Sequence, residues 1–385
     1  MTARSDQLSR RRLCQASLIG GGLLFAGTAP AAATDDASTR WLSWSTTGYV
    51  ANGVDFGDDT PEAVEQRVGE QLPDADLEAI IAHQQSDEVA TVEVLDAAVS
   101  EAAFRSAMDA NGYSYGSVTA GSTQQTRETI IEVLGARLGE VGIDATIYEA
   151  TTESEQYTVV ELSESDESTA RELLGSRGAV SIDIYYEDGG EYRTETGLTS
   201  DDFSSVGSAT QDDRSGPHVP VTVDVSAAEV FQQRLVETGV AQPGGSRCTY
   251  EQDPDSTESC LLVVEDDTVR NSFGMAPGLA DSMRDGSWAE NSGFILTTSS
   301  LEAAQQLSVF LRSGPLPVEL SITASDEPPV DESELDERTA VSPNEGKANG
   351  ETDISAPGFG FGAAVAALGG AGYLFGQNSV ETDHE

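Results

Sequence analysis

Residues 296–322 leave the chain few choices. Ser299 followed three residues later by Glu302 has the spacing of a capping box, in which the serine oxygen and the glutamate satisfy backbone donors at a helix start. Leu301, Ala304, Leu307 and Leu311 then fall on one helical face. Gly314 can adopt the left-handed conformation that ends a helix, and Pro315 and Pro317 cannot continue one, so the chain must turn. Leu316, Val318, Leu320 and Ile322 alternate, the pattern of a half-buried strand. The stretch predicts an αβ unit lying on a sheet, and it carries no chemistry.

The middle of the chain repeats this grammar. Val92 and Val94 alternate as a strand, residues 99–110 read as a helix with Phe104 and Met108 one turn apart, and a short strand is expected near residues 113–118. Residues 126–141 form a strong helix, with Ile130, Leu134, Leu138 and Val141 on one face and Gly142 at its end. Strands are predicted at 145–149 and 156–162, a short helix at 167–174 stopped by Gly175, and a strand at 180–186. Before these, residues 61–84 look helical by Val64, Val68, Leu72, Leu77, Ile80 and Ile81, interrupted by Pro73. Residues 41–59, with Trp41, Trp44 and Tyr49, suit either a strand pair or a packed arm. Strands and helices joined by tight polar connections predict an α+β fold with helices on one sheet face.

Several of these segments resemble, in order, the large extracytoplasmic domain of the SecD protein-export accessory family. The helix ending Arg137-Leu138-Gly139-Glu140-Val141-Gly142 is followed by the strand containing Val159-Val160-Glu161-Leu162, by Ala170-Arg171-Glu172-Leu173-Leu174-Gly175, and by Ser181-Ile182-Asp183-Ile184. Glu302-Ala303, Gly314 and Leu316-Pro317-Val318 match the end of that domain. Ser163-Glu164 replaces the family's Pro-Gly, and Asn271-Ser272-Phe273 replaces much of a later motif. The resemblance implies a duplicated ferredoxin-like base in residues 91–325 with a small inserted head at about 187–218, and a surface that handles emerging polypeptide. In the family, membrane helices that couple proton flow to movement follow the Leu-Pro-Val strand. Here an acidic stretch follows, so an uncoupled module is expected.

Outside that domain, residues 34–90 are expected to form an N-terminal arm or helical region without family likeness. Arg10 and Arg11, ahead of an apolar run that ends in Ala31-Ala32-Ala33, have the layout of a twin-arginine signal peptide in residues 1–33. Residues 326–355, rich in Pro, Asp, Glu and Ser, are expected to be a disordered acidic spacer. Residues 356–376 begin with Pro357-Gly358-Phe359, resembling an archaeal sorting signal removed by an archaeosortase that attaches a lipid. The 18 residues from Gly358 to Phe375 would reach about 27 Å as a helix, so an uncleaved transmembrane anchor stays open. The tail, residues 377–385, is acidic where the signal's pattern is basic. Both alternatives place the domain on the extracellular face of the cell membrane, held at its C-terminus.

The formal net charge of −47, with 67 acidic residues and Lys347 as the only lysine, excludes nucleic acid as a direct partner. Acids spread along the chain fit a halophilic protein, because molar salt shortens screening to about 3 Å. His83, His218 and His384 lie far apart without metal spacing and read as neutral surface histidines. Asp201-Asp202, Asp212-Asp213 and Asp266-Asp267 read as solvated surface acids. No nucleophile elbow or phosphate loop is present, so neither an enzyme nor a cofactor is expected. Cys248 and Cys260 flank eleven residues, and in an exported protein a disulfide is the expected state. The resulting expectation is a tethered export module that binds exported polypeptide or translocon components. Its alternative is a structural or ligand-binding cell-surface protein that reuses the same fold.

Overall fold

The structure is a computed structural model that describes residues 38–342, apart from residues 74, 87, 88, 153 and 154. Arg10, Arg11, Pro357, Gly358, Phe359 and His384 lie outside the described residues, so the predicted signal, sorting segment and tail do too. In chain order the elements are β1 (Thr39–Ser45), β2 (Tyr49–Asn52), α1 (Pro61–Glu70), β3 (Ile80–Ser86), β4 (Val89–Val94), α2 (Glu101–Ala110), β5 (Ser117–Ala120) and α3 (Gln124–Val141). Next come β6 (Ala145–Thr151), β7 (Gln156–Ser163), α4 (Glu167–Gly175), β8 (Val180–Asp188), β9 (Glu191–Thr199), β10 (Phe203–Val206), β11 (Thr210–Asp212) and β12 (Gly216–Val223). The last are α5 (Val225–Glu237), β13 (Cys260–Glu265), β14 (Thr268–Phe273), α6 (Pro277–Asp285), β15 (Gly293–Thr297), α7 (Leu301–Ser313), β16 (Thr323–Ser325) and β17 (Asp336–Val341).

Helix and sheet are thus mixed, and the strands form four antiparallel sheets. One runs β3-β4-β2-β5, built from the chain order β2-α1-β3-β4-α2-β5. Counting within that unit, its spatial order is fourth, first, third, second, a split β-α-β arrangement. The same order recurs in β16-β1-β7-β6, whose strands are joined through α3 and α4. The first unit is inserted between β1 and α3 of the second. β17 is appended beyond β6. The other two sheets, β14-β13-β8-β9 and β10-β12-β11 with β15 on β12, lie between α4 and β16 in the chain and share one core with α5, α6 and α7.

Three hydrophobic cores follow this division. Val64, Val68, Phe104 and Met108 of α1 and α2 cover the first unit's sheet. Ile130, Leu134, Leu138 and Leu174 cover the second, with Leu42 and Trp44 of β1. Phe231, Phe273, Phe294 and Phe310 fill the third. Gly142 ends α3 at φ 78° as its position predicts, while Val141 at that last turn is exposed rather than packed.

Several expectations are corrected. The described part of the expected N-terminal region, from residue 38 on, is not an arm: β1 lies inside the second unit's sheet and β2 inside the first's, so the boundary at 90/91 cuts through both. Residues 80–86 are a strand, not helix, because Ile80 and Ala82 pair across to β4. Residues 187–218 are no separate head. β9 pairs along the length of β8, and Leu198 and Phe203 are buried in the third core. The helix cap is Ser300, one residue later than expected, with its Oγ accepting from Ala303 N at 3.1 Å. Residues 316–322 bury Leu316 and Leu320 alternately but pair with no strand; the short β16 that follows pairs with β1. Residues 326–342 are not a disordered spacer, since they include a turn of 3-10 helix at Glu332–Glu334 and then β17 on β6.

Candidate functional site

Part of the motif set, Gly314 and Leu316, meets at Arg137. This arginine projects from the buried side of α3, fully shielded from solvent, to the point where α4 ends and α7 ends. Its guanidinium donates to the carbonyls of Leu173 (2.8 Å), Ser176 (2.6 Å), Arg177 (2.5 Å) and Gly314 (3.2 Å), and its Nε to Ser313 Oγ (3.4 Å). The Phe310 ring lies 4.7 Å from its central carbon, a cation–π contact. Burial lowers the guanidinium pKa to about 10, countered by Asp266 and Glu265, so the group stays charged at neutral pH. Gly178, at φ 68°, leaves room for it: a Cβ there would come within 2.6 Å of Arg137 Nη2 and 2.7 Å of the Phe310 ring.

The junction is locked from two further sides. Arg177 Nε donates to the Leu316 carbonyl at 3.0 Å, Leu316 N donates back to the Arg177 carbonyl at 2.8 Å, and Arg177 also pairs with Glu78 of the first unit. Asp266, in the β13–β14 turn at φ 46°, accepts from Ser176 Oγ (2.5 Å), Gly178 N (3.0 Å) and Ala179 N (2.8 Å). Asp266 is therefore a latch between two cores and not the solvated surface acid expected. The same junction gathers Arg137, Gly314 and Leu316 from distant motifs. Pro317 and Val318 follow directly and are half-buried. Glu302 and Ala303 lie at the other end of α7, about 20 Å away. Gly142 caps α3, and Glu161 accepts from the Tyr148 hydroxyl at 2.8 Å on the second unit's sheet.

A second anchor lies at the start of α3. Glu93 of β4 is fully buried and accepts from Thr123 N (2.8 Å), Thr123 Oγ1 (2.9 Å) and the Thr126 hydroxyl. His83 Nε2 sits 3.3 Å from the same carboxylate and 3.1 Å from Thr126 Oγ1. His83 is thus half-buried at the edge of this network, and His218 is buried, its Nδ1 2.9 Å from the Gly216 carbonyl, so neither is the free surface histidine expected. Replacing Glu93 by glutamine is expected to cost about 1–2 kcal/mol, because charge-assisted bonds to the helix start become ordinary ones. Urea titration measures this, and an unchanged midpoint would refute it.

Glu265 supplies a pH signature. Burial raises its carboxyl above the ordinary value of 4.5, and Arg270 at 3.1 Å only partly offsets this. The unfolded chain gives up that proton first, so the folded state loses stability as pH rises through 4.5 toward the folded value. Glu265→Gln is expected to flatten that part of the stability–pH curve; superimposable curves would contradict it.

Two depressions flank the junction. One, of about 710 Å³, is lined by Trp44, Asp76, Asp96, Arg177, Asp267 and Glu319 and is strongly acidic. The other, of about 790 Å³, is a more apolar groove bounded by α3, α7, β10 and β17, with Ile131, Gly135, Phe203, Leu311 and Val341 on its walls. Arg312 of α7 meets Glu140 of α3 at 2.6 Å in its lining. Among the described residues, no group of three or more His, Cys, Asp or Glu side chains could hold a metal ion. Among them, too, no helix is long and apolar enough to cross a membrane. Cys248 and Cys260 are bridged.

No family model matches the chain. Two curated relatives do: the protein-export membrane protein SecD of Haloquadratum walsbyi, 39% identical over 281 residues, and that of Haloferax volcanii, 40% identical over 290 residues. Each alignment takes in 72% of this chain and 54% or 55% of the relative, so the chain spans about half the length of the curated relatives it matches. Two solved SecDF structures, one in a super-membrane-facing form and one of a membrane component that enhances protein export, align with 53% of the chain at 19% identity and a TM-score of 0.38. They are covered over 28% and 94% of their own lengths.

Proposed function

We propose, from the premise that this chain carries a domain homologous to part of SecD, that it is a non-enzymatic accessory of protein export that binds emerging polypeptide. The 39–40% identity across 72% of the chain carries this reading. The two split β-α-β units support reading the fold as a duplicated ferredoxin-like base, one half nested within the other. Export through Arg10 and Arg11 and retention through the segment opening with Pro357, Gly358 and Phe359 complete the proposal. An archaeosortase-attached lipid or a transmembrane helix would then hold the domain on the outer face of the membrane, with exported polypeptides and translocon components as its partners. The charge of −47 fits a salt-adapted surface.

The test is removal of the protein from its cell, followed by pulse-chase of exported proteins and affinity capture of the tagged chain. Slower release of exported proteins, with translocon subunits in the capture, is expected. Unchanged export kinetics with no translocon subunit captured would favour a structural cell-surface role instead.

A further inference from the structure

We propose that the outer edge of β6, with the glycine face of α3 beneath it, is a seat for an extended polypeptide segment, and that β17 is its resident, displaceable occupant. This rests on the reading of the chain as a polypeptide-binding export module. The topology supplies the first reason. The unit β16-β1-β7-β6 is already complete in the split arrangement, and the first unit has no counterpart of β17. β17 is an addition to a finished sheet edge.

Packing supplies the second. No residue of β17 is buried; only Thr339 and Val341 are half-buried, whereas β6 and β7 behind it bury Ile147, Val159 and Val160 completely. Its ladder with β6 shifts register between Glu337 and Thr339. Its floor is small: a Cβ built on Gly135 or Gly139 would meet the Val341 methyls only at 3.7 Å, so the α3 surface there tolerates side chains of different sizes. The polar segment ahead of β17 holds one short 3-10 turn, and all its residues from 331 to 334 are exposed. The departure of β17 therefore takes only one half-buried side chain, Val341, from the margin of the second core.

The groove supplies the third. Its apolar wall, Ile131, Phe203, Val206 and Leu311, runs beside β17, and β10 on the far wall is the end strand of its own sheet. A segment taking the place of β17 would bond to β6 through its main chain, which is insensitive to sequence, and alternate its side chains over α3 and the groove. Arg338 shows what such a segment should bring. It pairs with Glu149 at 2.9 Å and Glu128 at 3.9 Å; when β17 departs both carboxylates lose this cation, Glu149 keeping Arg127 at 3.0 Å and Glu128 the Gln124 amide at 2.7 Å. The preferred occupant is an extended stretch with a basic residue followed by small or β-branched residues.

The test uses the full-length chain and a fluorescent peptide copying residues 335–342, read by anisotropy. Cysteines at the paired positions Thr146 and Ala340, oxidised to a bridge, fix β17 to β6, with each single-cysteine variant as a control. The bridged form is expected to bind the peptide at least tenfold more weakly than wild type, and the Thr339→Asp, Val341→Asp double variant severalfold more tightly. Hydrogen exchange should show the β17 amides opening far faster than those of β7. Equal binding by bridged and wild-type protein, or β17 amides as protected as β7, overturns the displaceable strand while leaving polypeptide binding standing. Absence of binding in every form, including the double variant, overturns both.

Discussion

Arg137→Met is expected to lower folding stability by about 3–5 kcal/mol, the range for removing one partner from a buried, hydrogen-bonded charge site. The methionine would fill much of the volume and keep contact with Phe310. The loss would come from carbonyl oxygens of Leu173, Ser176, Arg177 and Gly314, which the guanidinium serves simultaneously. Each buried acceptor left without a donor costs about 1–3 kcal/mol, less where water can enter. Arg137→Lys should recover only part, since an ammonium carries three donors on a flexible stem and cannot reproduce the planar fork. Gly178→Ala should resemble Arg137→Met, because its Cβ would displace the same guanidinium. Denaturant titration at fixed salt is the measurement. A loss under about 1 kcal/mol for Arg137→Met would mean that the junction does not hold the second and third cores together.

Replacing Cys248 and Cys260 together by serine is expected to cost about 3 kcal/mol, from the loop-closure entropy of a bridge spanning 12 positions. The effect should be concentrated around a satellite cluster of aromatic rings. Tyr185 stacks on Tyr192 at 5.1 Å and meets Tyr250 edge-on at 4.9 Å, and the Tyr185 and Tyr192 hydroxyls donate to the carbonyls of Pro254 and Thr257 within the bridged loop. Without the bridge, that loop loses its closure, and the rings lose the acceptors that orient them. Near-ultraviolet circular dichroism should therefore fall before the far-ultraviolet signal on heating, with a lower melting temperature. An unchanged melting temperature would refute the expectation.

What could be read in the sequence followed from locality. Helix α3 is legible because Ile130, Leu134 and Leu138 recur at helical spacing and Gly142 ends the run within one segment. Residues 80–86 show the opposite case. Leu77, Ile80 and Ile81 have helical spacing, yet the segment is a strand because its partner, β4, is available immediately after it. β17 was hidden by its composition: an edge strand buries so little that Asp336, Glu337 and Arg338 are compatible with it. The candidate site was legible only in fragments. Arg137 and Gly314 stood out as motif residues, but Phe310, Gly178 and Asp266 join them through contacts between segments far apart in the chain, as Ser176 to Asp266 across 90 positions. Glu93 with His83 and Thr126 is likewise a tertiary arrangement that neither spacing nor composition signals.

The attachment of β17 also decides how the molecule would yield to a pull. The described chain leaves the fold at residue 342, directly after Val341, which faces Ala145 across an antiparallel ladder ending at Asp336 opposite Glu149. Tension drawn through the residues that follow reaches that first pair before any other part of the fold. The ladder then peels one pair at a time, so β6 resists only one pair's worth of force, and the chain between β16 and β17 draws on the rest of the fold only when residues 326–335 are extended. A tug on the tail thus strips a single strand and leaves the body intact.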